Sequence, residues 1–99
     1  MKIPKEFTIF GSIIKTKWDD NLTKRNNVGE MNYPEDTIYL QLPEKDDKNF
    51  TDAALERTYY HELIHCFLFH IGKTKLANDE MFVENLSGVF HQFMKTVKY

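Results

Sequence analysis

The sequence is short of the residues that staple, hinge or loosen a small fold. Its 99 residues include one cysteine, three prolines and four glycines. A single thiol, Cys66, closes no internal disulfide, which excludes a disulfide scaffold, and it cannot build a cysteine-rich metal site. Little glycine and proline beside 14% aromatic and 41% hydrophobic residues excludes a chain disordered throughout. Charge of neither sign dominates. The formal net charge of -2 offers no basic surface for nucleic acid and no polybasic anchor for a membrane. No apolar run approaches the roughly 18 residues of a membrane span. The first twenty residues, MKIPKEFTIFGSIIKTKWDD, lack an apolar core and a small-residue cleavage site, so they do not read as a signal peptide. A cytoplasmic location is the default expectation. The length predicts a single domain over residues 1–99 with one modest core.

What is present falls into two halves. Residues 7–18, FTIFGSIIKTKW, are β-branched and aromatic, and from Ile14 they alternate, with Ile14, Thr16 and Trp18 on one face. This predicts a half-buried strand, with Gly11 marking a bulge or a break. After the polar loop DDNLTKRNN, a short strand is expected near VGEMNY, then a turn at Pro34-Glu35-Asp36. TIYLQL, residues 37–42, reads as another strand with Ile38, Leu40 and Leu42 on one side. PEKDDKN is a charged loop. Beyond it the period changes. A helix is expected from about Thr51 to Ile71, with Thr51 as N-cap, Asp52 at the positive end of the dipole and Gly72 at the C-terminal cap. The polar link KTKLAND leads to a second helix from about Asp79 to Thr96, with Phe82, Leu86, Phe90 and Phe93 as its apolar stripe. The expected class is α+β: a small antiparallel sheet of about three strands packed on two helices.

Three of the four histidines fall in HELIHCFLFH, residues 61–70. Its first five residues spell H-E-x-x-H, the signature of a zinc site on a helix. His61 and His65 are four apart, a little over one turn, so both imidazoles project from one face and can reach one ion. Glu62 sits one step around the helix, off the ligand stripe, where a base for a zinc-bound water belongs. Chance would produce this motif in about one chain in a hundred of this composition.

A catalytic zinc site uses three protein ligands and leaves a position open. His70 is turned about 180° from His61 around the helix and cannot be the third; it is expected to be a surface or structural histidine. The pattern H-E-x-x-H-x-x-G-x-x-H is excluded, since Leu68 and Ile71 hold its glycine and histidine positions. The second helix offers Glu80 and Glu84, which share a face. If the two helices pack antiparallel, the link after His65 is long enough to return Glu80 beside the histidines. Glu84, one turn further, is the alternative ligand or a group that orients a ligand histidine. His91 lies about 16 Å beyond Glu80 along the axis, too far to share the ion. Cys66 is expected to pack as a small apolar residue, and Phe67, Leu68, Phe69, Phe82, Phe90 and Phe93 to serve the core.

HELIH on a helix, followed by a second helix opening NDEMFVENLSG, resembles the gluzincin zinc metallopeptidases, which carry H-E-x-x-H and a downstream glutamate. The likeness is greatest to the minigluzincins and small phage-type zincin-like proteins, through a strand such as TIYL, the motif helix and E-x-x-V-x-x-L-S. It spans residues 7–95, with HELIH and the Glu80 region as its specific parts. The resemblance implies His61, His65 and Glu80 as zinc ligands, Glu62 as the base, and Glu84 as the acidic residue supporting a ligand histidine. Larger gluzincins add a subdomain whose His or Tyr stabilises the oxyanion. There is no room for one here, and Tyr59, Tyr60, His91 or Tyr99 would have to substitute. A tail ending in Tyr99 could also fold back over the site.

Two functions follow as expectations. One is zinc-dependent hydrolysis of a peptide or protein substrate laid along a sheet edge. The other is a zinc-stabilised, catalytically weak or inactive protein-binding module. A metal-free α+β domain is the bland third.

Overall fold

The computed structural model describes residues 3–43 and 51–99. The order is β1 (Glu6–Ile9), β2 (Ser12–Asp19), a 3-10 turn (Leu22–Arg25), β3 (Gly29–Asn32), β4 (Thr37–Gln41), α1 (Asp52–His70), α2 (Thr74–Ala77) and α3 (Glu80–Thr96). The α+β class holds. Most of the expected charged loop PEKDDKN lies outside the described residues.

The sheet has four strands rather than about three, in the order β1-β2-β4-β3. The expected first strand is a hairpin. Phe10 and Gly11 both take positive φ, 47° and 83°, and turn the chain in two residues, so that Ile9 pairs with Ser12. The sheet is also mixed rather than antiparallel, because β2 and β4 run parallel, with Ile38 opposite Thr16 and Leu40 opposite Trp18. The reason lies in the connection after β2. Leu22 is fully buried in the 3-10 turn, and the Thr23 backbone N–H donates to the Gln41 side chain at 2.9 Å. These anchors carry the chain across the width of one strand before β3 starts. β4 then fills the gap from the β3 side. β3 is left at the edge.

Ile14, Ile38 and Leu40 pack against Tyr59, Leu63 and Cys66 of α1 and form the main core. Leu42 falls past the end of β4 and is 50% exposed, so the expected apolar face ends at Leu40. Trp18, at the far end of β2, is exposed as well. The caps follow the sequence. Thr51 accepts from the Ala54 N–H at 3.2 Å and Asp79 from the Phe82 N–H at 3.1 Å. Gly72, at φ 78°, closes α1: its N–H donates to Phe69 and that of Lys73 to Leu68. This is the paired bond pattern of a glycine-terminated helix.

α1 and α3 pack antiparallel, as their side-chain pairs show: His61 meets Glu84, while Glu56, earlier in α1, meets His91, later in α3. The link between them contains the short helix α2. α3 presents Val83 and Ser87 as its buried residues. The expected stripe does not form the core contact: Phe82, Leu86 and Phe93 are exposed, Phe93 by 54%, and only Phe90 packs against the main core. Rotation about the helix axis explains this. Placing Glu80, Glu84 and His91 toward α1 turns the row through Phe82 and Phe93 aside. Phe69 of α1 is also exposed, whereas Leu68 is buried and Phe67 partly so. Among the described residues no helix is long and apolar enough to cross a membrane.

Candidate metal centre

His61 and His65 occupy the middle of α1, on the face turned toward the start of α3. Their Nε2 atoms lie 3.2 Å apart. Glu80, in the first turn of α3, reaches both: Oε2 is 3.0 Å from His61 Nε2, and Oε1 is 3.1 Å from His65 Nε2. The three donor groups lie within 4.8 Å of one another. Asp79, by capping the helix, fixes where Glu80 begins. Glu80 thus lies beside both Nε2 atoms, whereas Glu84 reaches only His61, at Nδ1.

The tautomers follow from the other ring nitrogens. His65 Nδ1 is 2.6 Å from the Ala77 carbonyl oxygen, which can only accept, so Nδ1 carries the proton. His61 Nδ1 is 2.7 Å from Glu84 Oε2 and donates to that carboxylate. Each ring therefore keeps its Nδ1 proton outside and turns Nε2 inward, toward Glu80. Two imidazole nitrogens and a carboxylate converge on one point. Such a set repels itself unless protons or a cation occupy the centre. Imidazoles oriented through Nδ1 by a carboxylate and a carbonyl are the usual surroundings of metal-bound histidine. The donor set fits a divalent cation of the borderline type: two imidazoles and one carboxylate.

Glu62 lies on the same turn as His61 but faces β3, and is only 9% exposed. Burial pushes its carboxyl up to about 7. The charge of His61 and a hydrogen bond from the Met31 backbone N–H oppose that shift, while Glu80 adds to it. β3 comes this close because of Gly29. A Cβ there would lie 2.6 Å from Thr58 Cγ2 and 3.2 Å from Glu62 Cγ. In the sequence, a glycine inside a short strand is the signal of such close backbone approach.

Between β3 and α1 runs an open cleft of about 900 Å³, with His61, Glu62, His65, Glu80 and Glu84 on its walls. Arg57 and Tyr33 also line it, and neither was singled out from sequence. The Tyr33 ring stacks on Phe69 with centroids 4.2 Å apart. Its phenol is held above the usual value by burial and then by the charge of Glu62.

The remaining candidates lie elsewhere. Tyr59 is buried in the main core. Tyr60 stacks on His91, whose Nε2 is 3.0 Å from Glu56. Tyr99 is fully exposed and does not line the cleft, so the tail does not fold back over the site. None of the four expected oxyanion residues borders the cleft. His70 donates from Nδ1 to the Cys66 carbonyl at 2.8 Å and is outside the cluster, as its angle around the helix requires. Cys66 is fully buried, and burial pushes its thiol up to about 11.

Compared with protein-family models, curated proteins and solved structures, the chain matches none.

Proposed function

We propose that the chain is a gluzincin-type zinc peptidase, with His61, His65 and Glu80 holding the ion and Glu62 acting as the base. The observation that carries this reading is the convergence of two imidazole Nε2 atoms and one carboxylate beside a second, buried carboxylate that is not part of the set. A purely structural site has no use for Glu62. When bound, zinc polarises a substrate carbonyl and acidifies water. Glu62 takes the proton of the attacking water and delivers it to the leaving amine. Glu84 holds the His61 ring in place through Nδ1. An extended peptide would add to the free edge of β3, which borders the cleft. The proposal includes a cytoplasmic location, where a lone reduced thiol such as Cys66 is at home.

One observation favours the second reading, a zinc-stabilised binding module. Tyr59, Tyr60, His91 and Tyr99 all lie away from the cleft, so none can steady an oxyanion there. Glu62→Gln separates the two. The peptidase reading expects a variant that keeps one zinc per chain and loses at least about a thousandfold in turnover. Turnover at the wild-type rate would contradict Glu62 as base, and a zinc-loaded wild type inert toward a broad peptide mixture would favour the module.

A further inference from the structure

The cleft has two ends of different chemistry. Around the histidines its ionisable walls are acidic: Glu62, Glu80 and Glu84. One turn toward the N-terminus of α1 stands Arg57, exposed, and in no ion pair among the described residues. At that end the Asn27 amide donates to Glu30 at 3.1 Å. Arg25, nearby in sequence, is held by Glu30 at 3.2 Å.

The direction of the cleft gives Arg57 a place relative to the reacting bond. Gly29 lies against Thr58 and Glu62, and Tyr33, four residues on, lies against Phe69. β3 thus runs beside α1 in the same sense. A peptide extended along β3 passes the histidines and reaches Arg57. Four helical residues advance about 6 Å, and an extended peptide advances about 3.3 Å per residue. Arg57 is then about two residues from the position facing His61.

Building on the peptidase reading, we infer that Arg57 selects substrates carrying a carboxylate about two residues from the scissile bond. The carboxylate is either an acidic side chain or a free C-terminus. A planar guanidinium in no ion pair among the described residues binds either in the same two-pronged way.

The test uses the full chain loaded with zinc and alanine-rich decapeptides. Glutamate is set against glutamine at each position, with the C-terminus free or amidated. Cleavage is read by mass spectrometry. The same peptides are titrated into zinc-loaded Glu62→Gln protein to measure binding. The expected result is a preference of about tenfold for the carboxylate at one position. The ratio falls to near one in Arg57→Gln and recovers in part in Arg57→Lys. A side-chain source gives the preference with either terminus; a terminal source gives it only with the free acid, and cleavage then releases a short C-terminal fragment. If nothing is cleaved but the binding ratio and its loss in Arg57→Gln persist, the peptidase reading fails and the assignment of Arg57 stands. A ratio near one in wild type in both assays, or one unchanged in Arg57→Gln, overturns the assignment.

Discussion

His65 and His70 sit on the same helix and begin alike: each gives its Nδ1 proton to a backbone carbonyl, Ala77 at 2.6 Å and Cys66 at 2.8 Å. They differ in what the other nitrogen meets. His70 Nε2 faces a single carboxylate, Asp36, at 3.6 Å, an arrangement one proton can satisfy. His65 Nε2 faces another imidazole and Glu80 at once. The first is a closed pair. The second is a three-membered cluster that protons or a cation must hold together. A histidine's role is therefore read from the group facing its second nitrogen, and the carbonyl partner alone does not distinguish the two.

Breaking each histidine in turn should separate them most. His65→Ala is expected to lower zinc affinity by at least about a thousandfold, since one of three ligands is gone. His70→Ala should leave zinc stoichiometry unchanged and cost about 1 kcal/mol of stability. Competition with a calibrated chelator and thermal unfolding measure the two. Equal zinc loss in both variants would erase the distinction.

A smaller effect is expected from the group behind the ligand. Glu84→Gln keeps a partner for His61 Nδ1 but removes its charge, and should weaken zinc binding by about 10–100-fold. A loss as large as that of Glu80→Gln would make Glu84 a ligand instead.

The base side can be pressed from β3. Gly29→Ala places a Cβ 2.6 Å from Thr58 Cγ2, so strand and helix must part. About 1–3 kcal/mol of destabilisation is expected by chemical denaturation. Glu62 should become more accessible, with a lower carboxyl pKa by NMR. An unchanged midpoint would mean that the strand shifts freely.

The smallest signal expected is from Cys66, next to His65 but facing the core. A buried thiol raised to about 11 should not react with a thiol reagent at neutral pH until the chain unfolds, when one thiol per chain appears. Rapid native labelling would place Cys66 on the cleft side and disturb the orientation assigned to α1.

Much of this was legible along single elements. Four-residue spacing put His61 and His65 on one face, Thr51 and Asp79 marked helix starts, and Gly72 marked the end of α1. Glu80 and Glu84 were legible because a short link forces two helices to pack antiparallel. What crosses between elements was not. Alternation of apolar residues reports burial and is blind to strand direction, so the parallel β2–β4 pair and the fourth strand were missed. The apolar row Phe82, Leu86, Phe93 suggested the buried face of α3, yet the acidic row facing α1 sets its rotation. Gly29, Tyr33 and Arg57 gain their positions only when β3 and α1 come together.

The most direct test of the central claim is elemental analysis of purified protein, wild type beside Glu80→Gln and Glu84→Gln. One zinc per chain in wild type, lost in Glu80→Gln and largely kept in Glu84→Gln, is the predicted result. A wild-type chain that takes up no zinc even when supplied with it would contradict the account and leave HELIH as a helix with two histidines on it.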